Sequence, residues 1–256
     1  MERVQDQFLN LSIMFAIFKR EVRSFFTSPI GYLIVGSFLL LNGLFLWVFK
    51  GDYNIFDYGF ADLGNFFLLT PWIFIFLVPA ITMKSFSEER KMGTLELLLI
   101  KPISVWKLVL GKFWGAFFLC IIAVVPTVVY VFSISSLGVI EGNYDLGVVF
   151  GSYFGLLFLI GAYTAIGIFA SSLSDNQIIA FLVGILICFV VFNGFDALSS
   201  LFTNGETQQL IKGFGAQSHF ESIARGVMDT RDLVYFISLT LVFLYLTLQR
   251  LKQLPR

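Results

Sequence analysis

Residues 84–112, KSFSEERKMGTLELLLIKPISVWKLVLGK, decide how the rest of the chain is read. Nine ionisable side chains fall in this stretch: Lys84, Glu88, Glu89, Arg90, Lys91, Glu96, Lys101, Lys107 and Lys112. Long uncharged apolar runs lie on either side, too long to be core strands of a soluble protein. The cluster therefore reads as a connection held outside a lipid layer, between two segments that cross it.

Working outward, the 256 residues are 57% hydrophobic and only 13% charged, with a mean hydropathy of +0.86. A bilayer core takes about 20 apolar helical residues to cross. Six such runs are legible, at residues 30–49, 65–83, 108–132, 146–171, 177–202 and 233–248. Lys112 and Asp196 are the only charges inside them, and a charge at mid-bilayer costs about 2.5–3.5 kcal/mol on insertion scales. The expected class is an all-α integral membrane protein with six transmembrane helices. The net charge of zero gives no bulk attraction to nucleic acid, and no such partner is expected. Cys120 and Cys188 fall inside apolar runs, as packing residues do, with neither disulfide nor zinc spacing. The first 29 residues lack the short apolar core and small-residue cleavage site of a signal peptide.

Orientation follows from Lys and Arg. The side holding both termini, the 84–112 connection and the 172–176 loop carries thirteen of them, against four on the other side. That asymmetry predicts cytoplasmic termini and a cytoplasmic connection. Before the first span, Phe15, Phe18, Val22, Phe25 and Phe26 recur at helical steps, opposite Lys19, Arg20, Arg23, Ser24 and Thr27. This predicts an amphipathic interfacial helix over 14–28, broken by Pro29, after a loosely ordered tail over 1–13.

The connection has its own grammar. Ser85 and Glu88 have capping-box spacing, Gly93 predicts a break, Thr94 a second cap over LELLLI, Pro102 a stop, and Ser104 a cap for the third span. The expected product is a short interfacial helix. Leu95, Leu97 and Leu98 would give it apolar contacts, and Glu88, Glu89, Arg90 and Glu96 polar ones. The SLSDN loop at 172–176, with Ser174 and Asp175, would be a second, smaller contact on the same side.

SEERKMGTLELLLIKPIS resembles the cytoplasmic signature of ABC type-2 export permeases. FKREVRSFFTSPIGYLIVGSFLLLNGLFLWVF, FDYGFADL and HFESIARGVMDTRDLVYFISLT, in that order, are similar to gliding-motility permeases of the GldF type from Bacteroidetes. The resemblance runs from about Met14 to Leu248 and implies one permease domain over 14–256 in the bacterial inner membrane. It also implies a coupling helix between spans two and three, short extracytoplasmic re-entrant helices between spans five and six, and pairing with a second copy. The partners it implies are a separate cytoplasmic ABC ATPase and an auxiliary membrane subunit of the gliding system.

No phosphate cradle is present: the only Gly-Lys, Gly111-Lys112, is followed by Phe113 and opens a span. A non-catalytic subunit without cofactor or metal is therefore expected, energised by a partner, with Lys112 snorkelling to the interface. The competing classes are an ion-coupled carrier, a membrane-embedded enzyme and a non-transporting anchor of the gliding machinery. The first two need several buried acids or catalytic groups at one depth, and only Asp196 comes near. Asn42 and Asn193, on the first and fifth spans, are candidates for a dimer interface or path together with Asp196, whose place near the outer end of its span also fits an interfacial residue. The glycine face of the fourth span (Gly147, Gly151, Gly155, Gly161, Ala165, Gly167) predicts close packing within one protomer. Pro71, Pro79 and Pro126 predict bends in their spans. Thr203 to Asp232 reads as short helices broken by Gly213, Gly215 and Gly226, with His219 in a structural hydrogen bond near Glu221.

Overall fold

The computed structural model describes residues 2–100, 104–138, 144–226 and 229–254, and every regular element among these is helical. Six helices are long and apolar enough to cross a membrane: Pro29–Trp47, Gly64–Lys91, Val105–Leu137, Leu146–Leu173, Gln177–Ser199 and Thr230–Lys252. The expected six-span, all-α class is what the chain forms.

α1 runs Glu2–Thr27, so the stretch expected as a tail (ERVQDQFLNLSI, free of Gly and Pro) continues the amphipathic helix. α2 (Pro29–Trp47) starts on Ser28, whose hydroxyl accepts from the Ile30 N–H, with Pro29 in the first helical turn. Pro29 therefore opens the span as well as ending α1, since its missing N–H costs nothing there. After the single turn α3 (Ile55–Tyr58), α4 (Gly64–Thr82) passes through Met83 in helical geometry into α5 (Lys84–Lys91). The expected capping box at Ser85 and Glu88 does not form. The Met83 N–H stays on Pro79 O at 2.8 Å and the Ser87 hydroxyl bonds Met83 O, so the backbone never leaves the helix for Ser85 to cap it. The stop comes instead at Gly93, whose φ of +67° is the left-handed geometry that ends helices at glycine. α6 follows at Thr94–Ile100.

α7 (Val105–Val124) tightens into a 3-10 turn at Val125–Val128, at Pro126, and resumes as α8 (Val129–Leu137). Pro71 and Pro79, in contrast, stay inside a continuous α4. α9 (Leu146–Leu173) is the hub, touching α4, α5, α7, α10 (Gln177–Phe189), α13 (Ala216–Ala224) and α14 (Thr230–Lys252). Its small residues serve that role within the protomer. A Cβ on Gly155 would stand 2.7 Å from Ile223 Cγ2, and one on Gly167 would collide with Thr82. α10 continues through a π turn at Val190–Gly194 into α11 (Phe195–Ser199), and α12 (Gly205–Lys212) precedes α13. The glycine breaks lie as expected: Gly213 closes α12, Gly215 precedes α13, and Gly226 has φ +84°.

Candidate functional site

The site is built where α1 crosses α7. Gly111 and Gly115 stand one turn apart on α7 and remove the side chains that would hold α1 away. A Cβ on Gly111 would sit 2.9 Å from Ile17 Cγ2, and one on Gly115 would sit 2.8 Å from Glu21 Cβ. Close approach lowers Glu21 onto Lys112, between the two glycines. Lys112 is 1% exposed; its ammonium donates to Glu21 Oε1 at 2.8 Å, Glu89 Oε1 at 3.0 Å and the Ser85 carbonyl at 2.6 Å. Its three donors are thus all used, and the Phe86 ring lies 5.1 Å from Nζ. The snorkelling expected of Lys112 does not occur, because acceptors for every ammonium hydrogen lie inside the protein.

Arg20 closes the cluster by pairing with Glu89 and, at 3.2 Å, with Glu21. Desolvation works against its charge, yet the attraction and hydrogen bonds of Glu89 and Glu21 outweigh it and raise the guanidinium above its ordinary value. Two cations and two carboxylates thus tie α1, α5 and α7 together. Arg90 adds the next link: its Nη1 donates at 3.0 Å to Ser172 O, one of the last-turn carbonyls of α9 that lack an intrahelical partner.

This placement redistributes the residues expected to face a partner. Glu89 is buried and Arg90 points to α9, so neither presents its charge outward; helical periodicity turns Ser85, Phe86 and Glu89 to the same inner side. Glu88 is half-exposed. Thr94 does not cap α6; its hydroxyl reaches back to Glu89 O at 3.3 Å and ties α6 to the end of α5. Leu95 is buried, while Glu96 is exposed. Ser104 occupies the cap position of α7 without a side-chain bond. The Ser174 hydroxyl accepts from the Asn176 N–H, and Asp175 is exposed beside it. Pro102 lies outside the described residues. The outward surface of the element is Lys91, Met92, Gly93, Glu96, Leu97 and Ile100, the last 71% exposed. Reading the sequence missed Met92, Ile100 and the whole Lys112 network. A usable signal existed: Glu21 is the only acid in the basic 14–27 segment, and a lysine inside a span needs a counter-charge.

The remaining candidates separate. Asn42 is fully buried; its amide donates to Phe38 O at 2.9 Å and its Oδ1 receives the Thr70 hydroxyl at 3.4 Å. It therefore joins α2 to α4 within the protomer and offers nothing to a second copy. Asn193 is half-buried in the π turn of the fifth span, a kind of defect frequent at functional sites. Asp196 pairs at 3.0 Å with Lys212, both substantially exposed, as an interfacial residue would. His219 is in structural hydrogen bonds, with Asp232 (2.6 Å) and Gly213 O (2.9 Å) rather than near Glu221, which takes the Gln217 amide.

Six helices able to cross a membrane, one of them a glycine-lined hub, with a charged element held at one end, define a multi-pass membrane protein. The chain belongs to the ABC-2 family transporter proteins, whose family model matches residues 3–253. No curated protein matches the chain. Membership makes it a membrane permease subunit of an ABC transporter, a family in which permeases dimerise and work with a partner ATPase.

Proposed function

We propose that α5–α6 is the coupling element on which a cytoplasmic ABC ATPase docks, and that the chain itself binds and hydrolyses no ATP. The carrying observation is the division of labour within this element. Glu89, Arg90 and Thr94 are spent on holding it, and Lys91, Met92, Glu96, Leu97 and Ile100 are left on its free surface. An apolar patch flanked by one base and one acid suits a protein groove better than open water. On this reading both termini are cytoplasmic in a bacterial inner membrane, and Asp175 lies on the same side as a minor contact.

The second copy would meet the face shared by α2, α4 and α10. Both α2 and α10 contact α4, and Leu33, Leu40, Phe76, Leu182 and Leu186 remain exposed on the three helices. The resemblance of the FKREVRSFF, FDYGFADL and HFESIARGV segments to gliding-motility permeases supports an export role in that system, beside an auxiliary membrane subunit. The docking assignment is tested by co-purification with the ATPase subunit. Glu96→Arg combined with Leu97→Asp should leave the permease folded and membrane-inserted but reduce ATPase recovery at least about tenfold, because an apolar contact and a charge are both reversed. Wild-type recovery would remove α6 from the contact.

A further inference from the structure

A groove of about 740 Å³ opens between the end of α1, the start of α2, α5 and α6. Ile30, 43% exposed, and half-buried Leu98 line its apolar part, and Ser24, Lys84 and Glu88 its polar part. Its depth is fixed by the elements that frame it. α2 opens at Pro29 and the charged part of the Gly64–Lys91 helix begins at Lys84, so the groove lies where two spans leave the hydrocarbon, at the level of lipid headgroups.

Lys84 and Glu88 are one helical turn apart, both are half-exposed, and neither joins an ion pair among the described residues. Lysine N-terminal to glutamate is the weaker order for a pair at this spacing. The neighbouring cluster adds no net charge, since Arg20 and Lys112 balance Glu21 and Glu89. Among the described residues, the groove thus offers one free cation, one free anion about 6 Å away along the helix, and an apolar floor.

We propose that this groove binds the headgroup of one membrane phosphatidylethanolamine, with phosphate at Lys84, ammonium at Glu88 and the first acyl carbons over Ile30 and Leu98. An anionic headgroup would satisfy Lys84 but leave Glu88 facing negative charge. Choline carries positive charge but no N–H to donate to the carboxylate. A soluble zwitterion would leave the apolar floor uncovered.

Native mass spectrometry of the detergent-purified permease tests this, using an equimolar mixture of palmitoyl-oleoyl phosphatidylethanolamine, phosphatidylcholine and phosphatidylglycerol. The expected result is a phosphatidylethanolamine adduct favoured about tenfold over phosphatidylcholine, the worth of roughly one charge-assisted hydrogen bond. Lys84→Ala with Glu88→Ala should abolish that preference. Ser24→Trp, at an exposed position that fills the groove, should suppress the adduct without lowering the melting temperature. Equal binding of all three lipids, preference for phosphatidylglycerol, or an adduct untouched by either variant would overturn the proposal. So would displacement by equimolar soluble phosphoethanolamine, which would make the free headgroup compound the occupant. No ATPase enters the measurement, so failure here leaves the coupling assignment standing.

Discussion

Lys112→Met keeps most of the side chain's volume and removes only its charge. The ammonium holds Glu89 Oε1, Glu21 Oε1 and the Ser85 carbonyl at 2.6–3.0 Å. Glu21, with a side chain 20% exposed, can rehydrate; Glu89, 9% exposed and with Oε2 already lacking a partner, cannot. Removing one member of a buried pair costs about 3–5 kcal/mol, chiefly through the charge left behind. Arg20 still faces Glu89 but is half in solvent, with 52% of its side chain exposed, so the lower end, about 3 kcal/mol, is expected. The assay is reversible unfolding in mixed micelles, followed by fluorescence of Trp106 and Trp114 on α7 itself. Adding Glu89→Gln to the variant should recover about 1 kcal/mol or more, because the stranded charge is gone. A Lys112→Met protein within about 0.5 kcal/mol of wild type would refute the network, since that is the range of a surface substitution.

Gly115→Leu should push α1 off α7 and cost about 1–3 kcal/mol in the same assay. Gly43→Ala, on α2 with open space where the new methyl group would stand, should change stability by no more than about 1 kcal/mol and in the favourable direction. Equal effects of the two would show that the α1–α7 approach is not tight. For the dimer face, single cysteines at Leu40 and Leu182 in a background without Cys120 and Cys188 should cross-link between copies in membranes. Cysteines at Leu241 or Val242, exposed on α14, should not; the reverse pattern would move the interface to α14.

The crossing segments are legible in the sequence because each is a long apolar run whose alternative, a soluble core, is excluded by length and charge. Gly93 is legible because a turn that ends one helix just before the next begins favours a residue free to take positive φ. The Lys112 cluster is legible only as a need for a counter-charge; that Glu21, 91 positions away, supplies it is decided by tertiary packing. Glu89 and Arg90 escape sequence reasoning for a related reason. Charge density marks a segment as lying outside lipid, but the face each residue takes depends on the helix phase inherited from α4. Capping-box spacing at Ser85 is real as a pattern and loses to that same continuity. Asn42 misleads because a polar residue in a span can serve a neighbouring helix of its own chain as well as another copy. Thr70, which answers it, carries no distinctive signal in sequence.

The unbroken passage of α4 into α5 has a mechanical consequence. Gly64–Lys91 is one helix of 28 residues, about 42 Å long, against a hydrocarbon layer of about 30 Å. Two or more turns therefore project past the lipid as a handle, clamped at its base by Lys112 and at its tip by Arg90. Force applied at Gly93 would not dissipate in a flexible loop. It would tilt or slide a single strut whose far end, at Gly64, stands on the opposite side of the membrane.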